Sequence, residues 1–83
     1  MSTTLEDLVA RICDLYRITI EHLRSGSRRA GLVEARSLFC YWAVRQNRFP
    51  AATIASFLNM TPPGVGYAVD RGGAIARETD YRI

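Results

Sequence analysis

Apolar residues along this chain recur every three or four positions, and the rhythm breaks at residues that start and stop helices. Leu5, Leu8, Ile12, Leu15 and Tyr16 share one helical face, and Thr3 with Glu6 has capping-box spacing, which predicts a first helix over about 4–17. Thr19 can cap a short second helix over 20–24 before SGSRRAG, residues 25–31, interrupts with small and polar residues. From 32 to 46 the stripe Ala35, Leu38, Phe39, Trp42 has helical spacing. Val33, Cys40, Tyr41 and Val44 make the other faces apolar too, which predicts a central, buried helix.

Residues 47–50 end that helix, and a fourth is expected over 51–58, with Asn59 in the left-handed conformation at its end. Thr61 followed by Pro62 reads as an N-cap with proline in the first helical position. A fifth helix is expected over 62–71, closed by Gly72 and Gly73, with a short sixth over 74–78. No β-type alternation of useful length occurs, nor any internal repeat. The expected fold is all-α: a compact bundle of five to six short helices.

The length of 83 residues and a 48% hydrophobic content suit one small domain, residues 1–83, with one core. The formal charge of +3 is unevenly placed: residues 24–48 hold six arginines against one acid, so the basic patch is local. All eleven cations are arginine, whose planar donor fork suits phosphates, guanine edges and narrow minor grooves. Codon bias in a GC-rich genome explains that usage more readily than selection for the whole set, so position carries more weight than residue type.

Cys13 and Cys40 fall inside helical patterns without CxxC spacing, and there is one His, so two reduced thiols are expected rather than a zinc site or disulfide framework. The N-terminus lacks signal-peptide character and no apolar run approaches the roughly 20 residues that span a bilayer. The expected setting is the bacterial cytoplasm at the nucleoid, with no membrane, metal, cofactor or small-molecule substrate involved.

Residues 54–69, IASFLNMTPPGVGYAV, space Ile54, Ala55, Leu58, Met60, Val65 and Val69 as a helix-turn-helix does, with a small residue at the helix crossing and apolar residues flanking the turn. In that register, over about 51–72, Thr61, Pro62, Pro63, Gly66 and Tyr67, with Asp70 or Arg71 at the far end, are expected to face a major groove. Tyr67 can donate to a phosphate or pack on a thymine methyl. A second constellation precedes it. Arg28 and Arg29 form a basic loop suited to a minor groove, flanked by Arg24, while Arg36, one turn into the central helix, can clamp a phosphate and Arg48 adds to the patch. Trp42 and Tyr41 read as core rather than as stacking residues. His22 reads as structural, and Asp14 with Glu21, or Asp70 with Glu78, as solvated carboxylates rather than a catalytic pair.

These residues resemble the C-terminal DNA-binding domain of the bacterial replication initiator DnaA, a Trp-repressor-like helix-turn-helix. The likeness runs over about 8–71: a first helix, then ITIEHL, an Arg-bearing loop, AR ahead of a long helix, then IA and VxxA in the last two helices. It implies that Arg28 is the basic-loop arginine that enters the minor groove and Arg36 the arginine that opens the long helix. Where that family carries basic, acidic, histidine and hydroxyl residues at the start of the reading helix, this chain has Met60, Thr61, Pro62, Pro63 and Gly64. No GxxxxGK[ST] segment is present, so the initiator's ATPase is not implied.

Over about 34–78 the chain is similar also to the DnaA-like tail of some REP-associated, single-strand-type transposases, through ARSLFCYWAVR and RGGAIARE. With one His, it lacks the His pair of their nuclease.

The expected function is therefore non-enzymatic binding of double-stranded DNA. Four or five engaged arginines would give a slope of log K against log salt of roughly −4. Weak sequence selectivity is expected, because the 61–66 segment offers one hydroxyl and small apolar surfaces. The alternatives are a protein-interaction module using the apolar 62–67 surface, or a folded but idle transposon remnant.

Overall fold

In the computed structural model, which describes residues 4–79, five α-helices and one π-helical turn carry the chain, with no strand among the described residues. Helix α1 spans Leu5–Tyr16. Its capping box uses Thr4 and Asp7, one position later than the spacing of Thr3 and Glu6 suggested: the Thr4 hydroxyl accepts the Asp7 N–H and the Asp7 carboxylate accepts the Thr4 N–H, each at 3.1 Å. Thr3 itself lies outside the described residues. Leu8 and Ile12 are buried, whereas Leu15 is left 38% exposed at the edge of the stripe. Arg17 closes α1 in the left-handed region, φ 54°, and the Ile18 N–H bonds the Cys13 carbonyl at 3.0 Å.

Helix α2, Ile20–Arg24, is capped by Thr19 as expected, and His22 explains itself there. Its N–H donates to the Thr19 hydroxyl at 3.1 Å while its Nδ1 accepts the Thr19 N–H at 3.4 Å, a capping box with histidine in the acid's place.

The central helix begins earlier and ends differently from the expectation of 32–46. Helix α3 spans Ala30–Tyr41 and widens into a π-helical turn, Trp42–Gln46. Carbonyls released by the wide turn are taken up locally: Asn47 Nδ2 donates to the Trp42 carbonyl at 2.8 Å and the Phe49 N–H to that of Ala43 at 2.9 Å. Trp42, Phe39 and Leu38 are fully buried, as befits a helix apolar on every side.

Helix α4, Ala51–Leu58, ends at Asn59 with φ 58°, and the Met60 N–H returns to the Ala55 carbonyl at 2.8 Å. Helix α5 then runs without interruption over Pro62–Thr79. The expected stop at Gly72–Gly73 and the separate helix over 74–78 do not occur. Both glycines are buried mid-helix because α3 lies against them. A Cβ on Gly72 would overlap the Ser37 carbonyl oxygen and lie 2.7 Å from Tyr41 Cβ. The glycines there permit a close helix crossing instead of ending a helix. Leu8, Ile12, Leu23, Ile54, Leu58 and Val65 complete the core around Trp42 and Phe39.

Candidate nucleic-acid interface

The basic loop between α2 and α3 is laced by its own serines. Ser25 Oγ donates to the His22 carbonyl at 2.8 Å and accepts the Ser27 N–H at 3.2 Å, and Ser27 Oγ accepts the Arg29 N–H at 3.3 Å. Arg36 fastens the loop from below, its Nη2 donating to the Ser27 carbonyl. The expected phosphate clamp is thus only 8% exposed and spends part of its fork on the loop, while its Nη1 is buried without an acceptor.

Arg28 and Arg29 diverge. Arg28 turns toward α5 and lines a cleft of about 560 Å³ with Arg36, Ser37, Tyr67 and Arg71, the remaining wall being Gly26, Val33, Met60, Gly64 and Ala68. Arg29, the residue preceding α3, lines a different cavity with Tyr16, Arg17, Ile18 and His22. The pair therefore does not act as one prong.

The cleft holds three guanidinium groups and no carboxylate. Arg71 Nη1 reaches Ser37 Oγ at 3.4 Å, and Arg28 makes no ion pair among the described residues. Burial draws the Arg36 guanidinium below its ordinary value, and four residues on along α3 burial pushes the Cys40 thiol up to about 12, an effect the Arg36 charge only partly offsets. Cys40 is therefore a neutral thiol at physiological pH. It neither compensates Arg36 nor offers a nucleophile.

Tyr67 stands at the cleft with 72% of its surface exposed. Thr61, Pro62, Pro63 and Gly66 are exposed on the same end of α5 but do not line the cleft, and the Thr61 hydroxyl accepts the Gly64 N–H at 3.2 Å, as an N-cap does. Arg48 sits with φ 60° in the turn before α4, outside the cleft.

Arg24 has a structural use that its sequence position did not reveal. Its Nε donates to the Phe57 carbonyl at 2.6 Å and its guanidinium lies 5.2 Å from the Phe57 ring centroid, tying α2 to α4. Arg24→Ala is expected to cost about 1–2 kcal/mol of stability, read by urea unfolding, while changing nucleic-acid affinity little. A stability-neutral Arg24→Ala with strongly weakened DNA binding would return Arg24 to the interface.

Ser37 and Gly64 also line the cleft, and no sequence spacing singled them out, because the cleft forms only where α3 crosses α5; Met60, expected as an apolar residue flanking the turn, lines it too. Among the described residues, no three His, Cys, Asp or Glu side chains gather as metal ligands, and no helix is long and apolar enough to cross a membrane. No protein-family model, curated protein or solved structure matches the chain.

Proposed function

We propose that the protein is a non-enzymatic, duplex-DNA-binding domain of DnaA-C-terminal type, working in the bacterial cytoplasm. The observation that carries this reading is the cleft itself: two basic features 40 residues apart in sequence, Arg28 and the outer face of α5 with Arg71 and Tyr67, meet across one carboxylate-free surface. The α4 and α5 pair, with its Asn59 turn and Thr61 cap, serves as the helix-turn-helix, and the start of α5 enters the major groove while Arg28 lies beside the adjacent backbone or minor groove. Phosphate contacts supply most of the affinity. Selectivity is weak, since Pro62, Pro63 and Gly66 present no donor or acceptor side chain to bases.

With Arg24 and much of Arg36 engaged inside the protein, about three cations remain for phosphates, so the slope of log K against log salt should be about −3 rather than −4. Fluorescence anisotropy with a labelled duplex across a salt series measures it. Salt-insensitive binding, or none at low salt, would overturn the proposal.

A second reading rests on the exposure of Tyr67 beside Pro62 and Pro63, a patch that suits a protein partner. Arg28→Ala with Arg71→Ala separates the two: DNA binding weakens, whereas an apolar protein contact is spared.

A further inference from the structure

We propose that the cleft between the 25–29 loop and α5 is a binding site for a phosphate monoester dianion, such as a mononucleotide or a 5′-phosphorylated nucleic-acid end, and that this small anion competes with duplex for the same arginines. The inference shares its site with the duplex reading and uses its residues, but its test separates the two.

Three observations carry it. Arg28, Arg36 and Arg71 line one cleft that no carboxylate lines, so an entering dianion meets three guanidinium groups and no competing anion. Arg36 is more than nine-tenths buried, yet its Nη1 has no acceptor, which is the costly state for a charged donor. The cleft, about 560 Å³ and open to solvent on one side, has room for a phosphate together with an attached nucleoside.

A duplex backbone touches what is exposed, namely Arg28, Arg71 and the Tyr67 hydroxyl. Only a group that enters the cleft comes near Arg36. Because Nη1 is itself covered, an oxygen reaches it as the loop yields. Gly26 lines the cleft with φ +75° and open space where a Cβ would stand, so no side chain at that position obstructs entry. Arg28 and Arg71 then grip the dianion from opposite walls, and Ser37 and Tyr67 offer hydroxyl donors.

The test is an NMR titration of the full chain with inorganic phosphate and with dAMP, against chloride at equal ionic strength. Saturable shifts are expected at Gly26, Arg28, Ser37 and Ala68. Arg28→Met and Arg71→Met, both at exposed positions and so expected to fold, should each weaken binding about tenfold. The same titrants should displace labelled duplex. A dAMP affinity about tenfold above that of phosphate marks a nucleotide source, and equal affinities mark free phosphate.

The proposal is overturned if phosphate and dAMP give only the shifts that chloride gives, or if neither Arg28→Met nor Arg71→Met weakens their binding. It is likewise overturned if duplex binds while phosphate fails to compete. Saturable phosphate binding by a protein that binds no duplex would leave the anion site standing and remove the duplex reading together with the competition.

Discussion

Replacing Gly72 by alanine is expected to destabilise the fold by about 2–4 kcal/mol and to lower Tm by about 10–20 °C. The added Cβ would overlap the Ser37 carbonyl oxygen, stand 2.6 Å from the carbonyl carbon and 2.7 Å from Tyr41 Cβ. These are backbone and near-backbone atoms of α3, which cannot rotate away as a side-chain tip can. The two helices must separate, and Val65, Ala68 and Val69 lose their seat against α3 with them. Alanine's better helix propensity returns only about 1 kcal/mol.

Gly73→Ala is the internal control. Its Cβ would meet the Tyr41 ring at 3.3 Å, a contact that a small ring shift relieves, so its stability should stay within about 1 kcal/mol of the parent protein. Thermal and urea unfolding of both variants decide the matter, and a Gly72→Ala protein as stable as the parent would refute the close crossing. Because Ser37, Ala68 and Arg71 line the cleft at this crossing, Gly72→Ala should also weaken ligand binding without altering any residue of the cleft itself.

The second large effect is on affinity. Arg28→Glu combined with Arg71→Glu is expected to lower duplex affinity about a hundredfold at low salt and to reduce the salt slope by about 2. Both side chains are exposed, and among the described residues the one hydrogen bond or ion pair of either is the long 3.4 Å bond from Arg71 to Ser37, so unfolding midpoints should change little. Net charge alone could weaken binding, and a matched pair controls for it.

Arg45→Glu with Arg77→Glu alters total charge equally, but those residues line another cleft with Tyr41 and Asp70, and Arg45 already pairs with Asp70 at 3.7 Å. That control should cost only a few-fold. Equal losses in the two double variants would show that affinity follows total charge rather than this cleft.

Most local signals were legible where a cap or a turn depends on near neighbours, although the capping box of α1 falls on Thr4 and Asp7 rather than on Thr3 and Glu6. Thr19, Asn59 and the Thr61–Pro62 step were readable from the chain because each satisfies backbone groups within three to five residues of itself. The apolar stripes of α1 and α3 were readable for the same reason: periodicity is a property of one helix. His22 was recognisably structural, although its role as the partner in a capping box emerged only from the geometry.

What failed at Gly72–Gly73 shows the limit. Two glycines after a helical pattern resemble a helix stop, and locally they cost helix stability. They continue the helix here because Ser37 and Tyr41 of α3 occupy the space where side chains would be. The arginines divide in the same way. The sequence grouped Arg24, Arg28, Arg29 and Arg36 in one basic constellation, with Arg28 and Arg29 as a pair and Arg36 as a phosphate clamp.

By itself the sequence determined an all-α chain, its principal caps and turns, and a local excess of positive charge, since these depend on neighbours along the backbone. The tertiary structure alone decided which cations remain available. Arg24 is drawn onto Phe57, Arg36 under the loop and Arg29 to another cavity, whereas Arg28 and Arg71 line one cleft with exposed side chains. Each of those outcomes depends on where helices cross, and a crossing is set by the mutual fit of surfaces far apart in the chain.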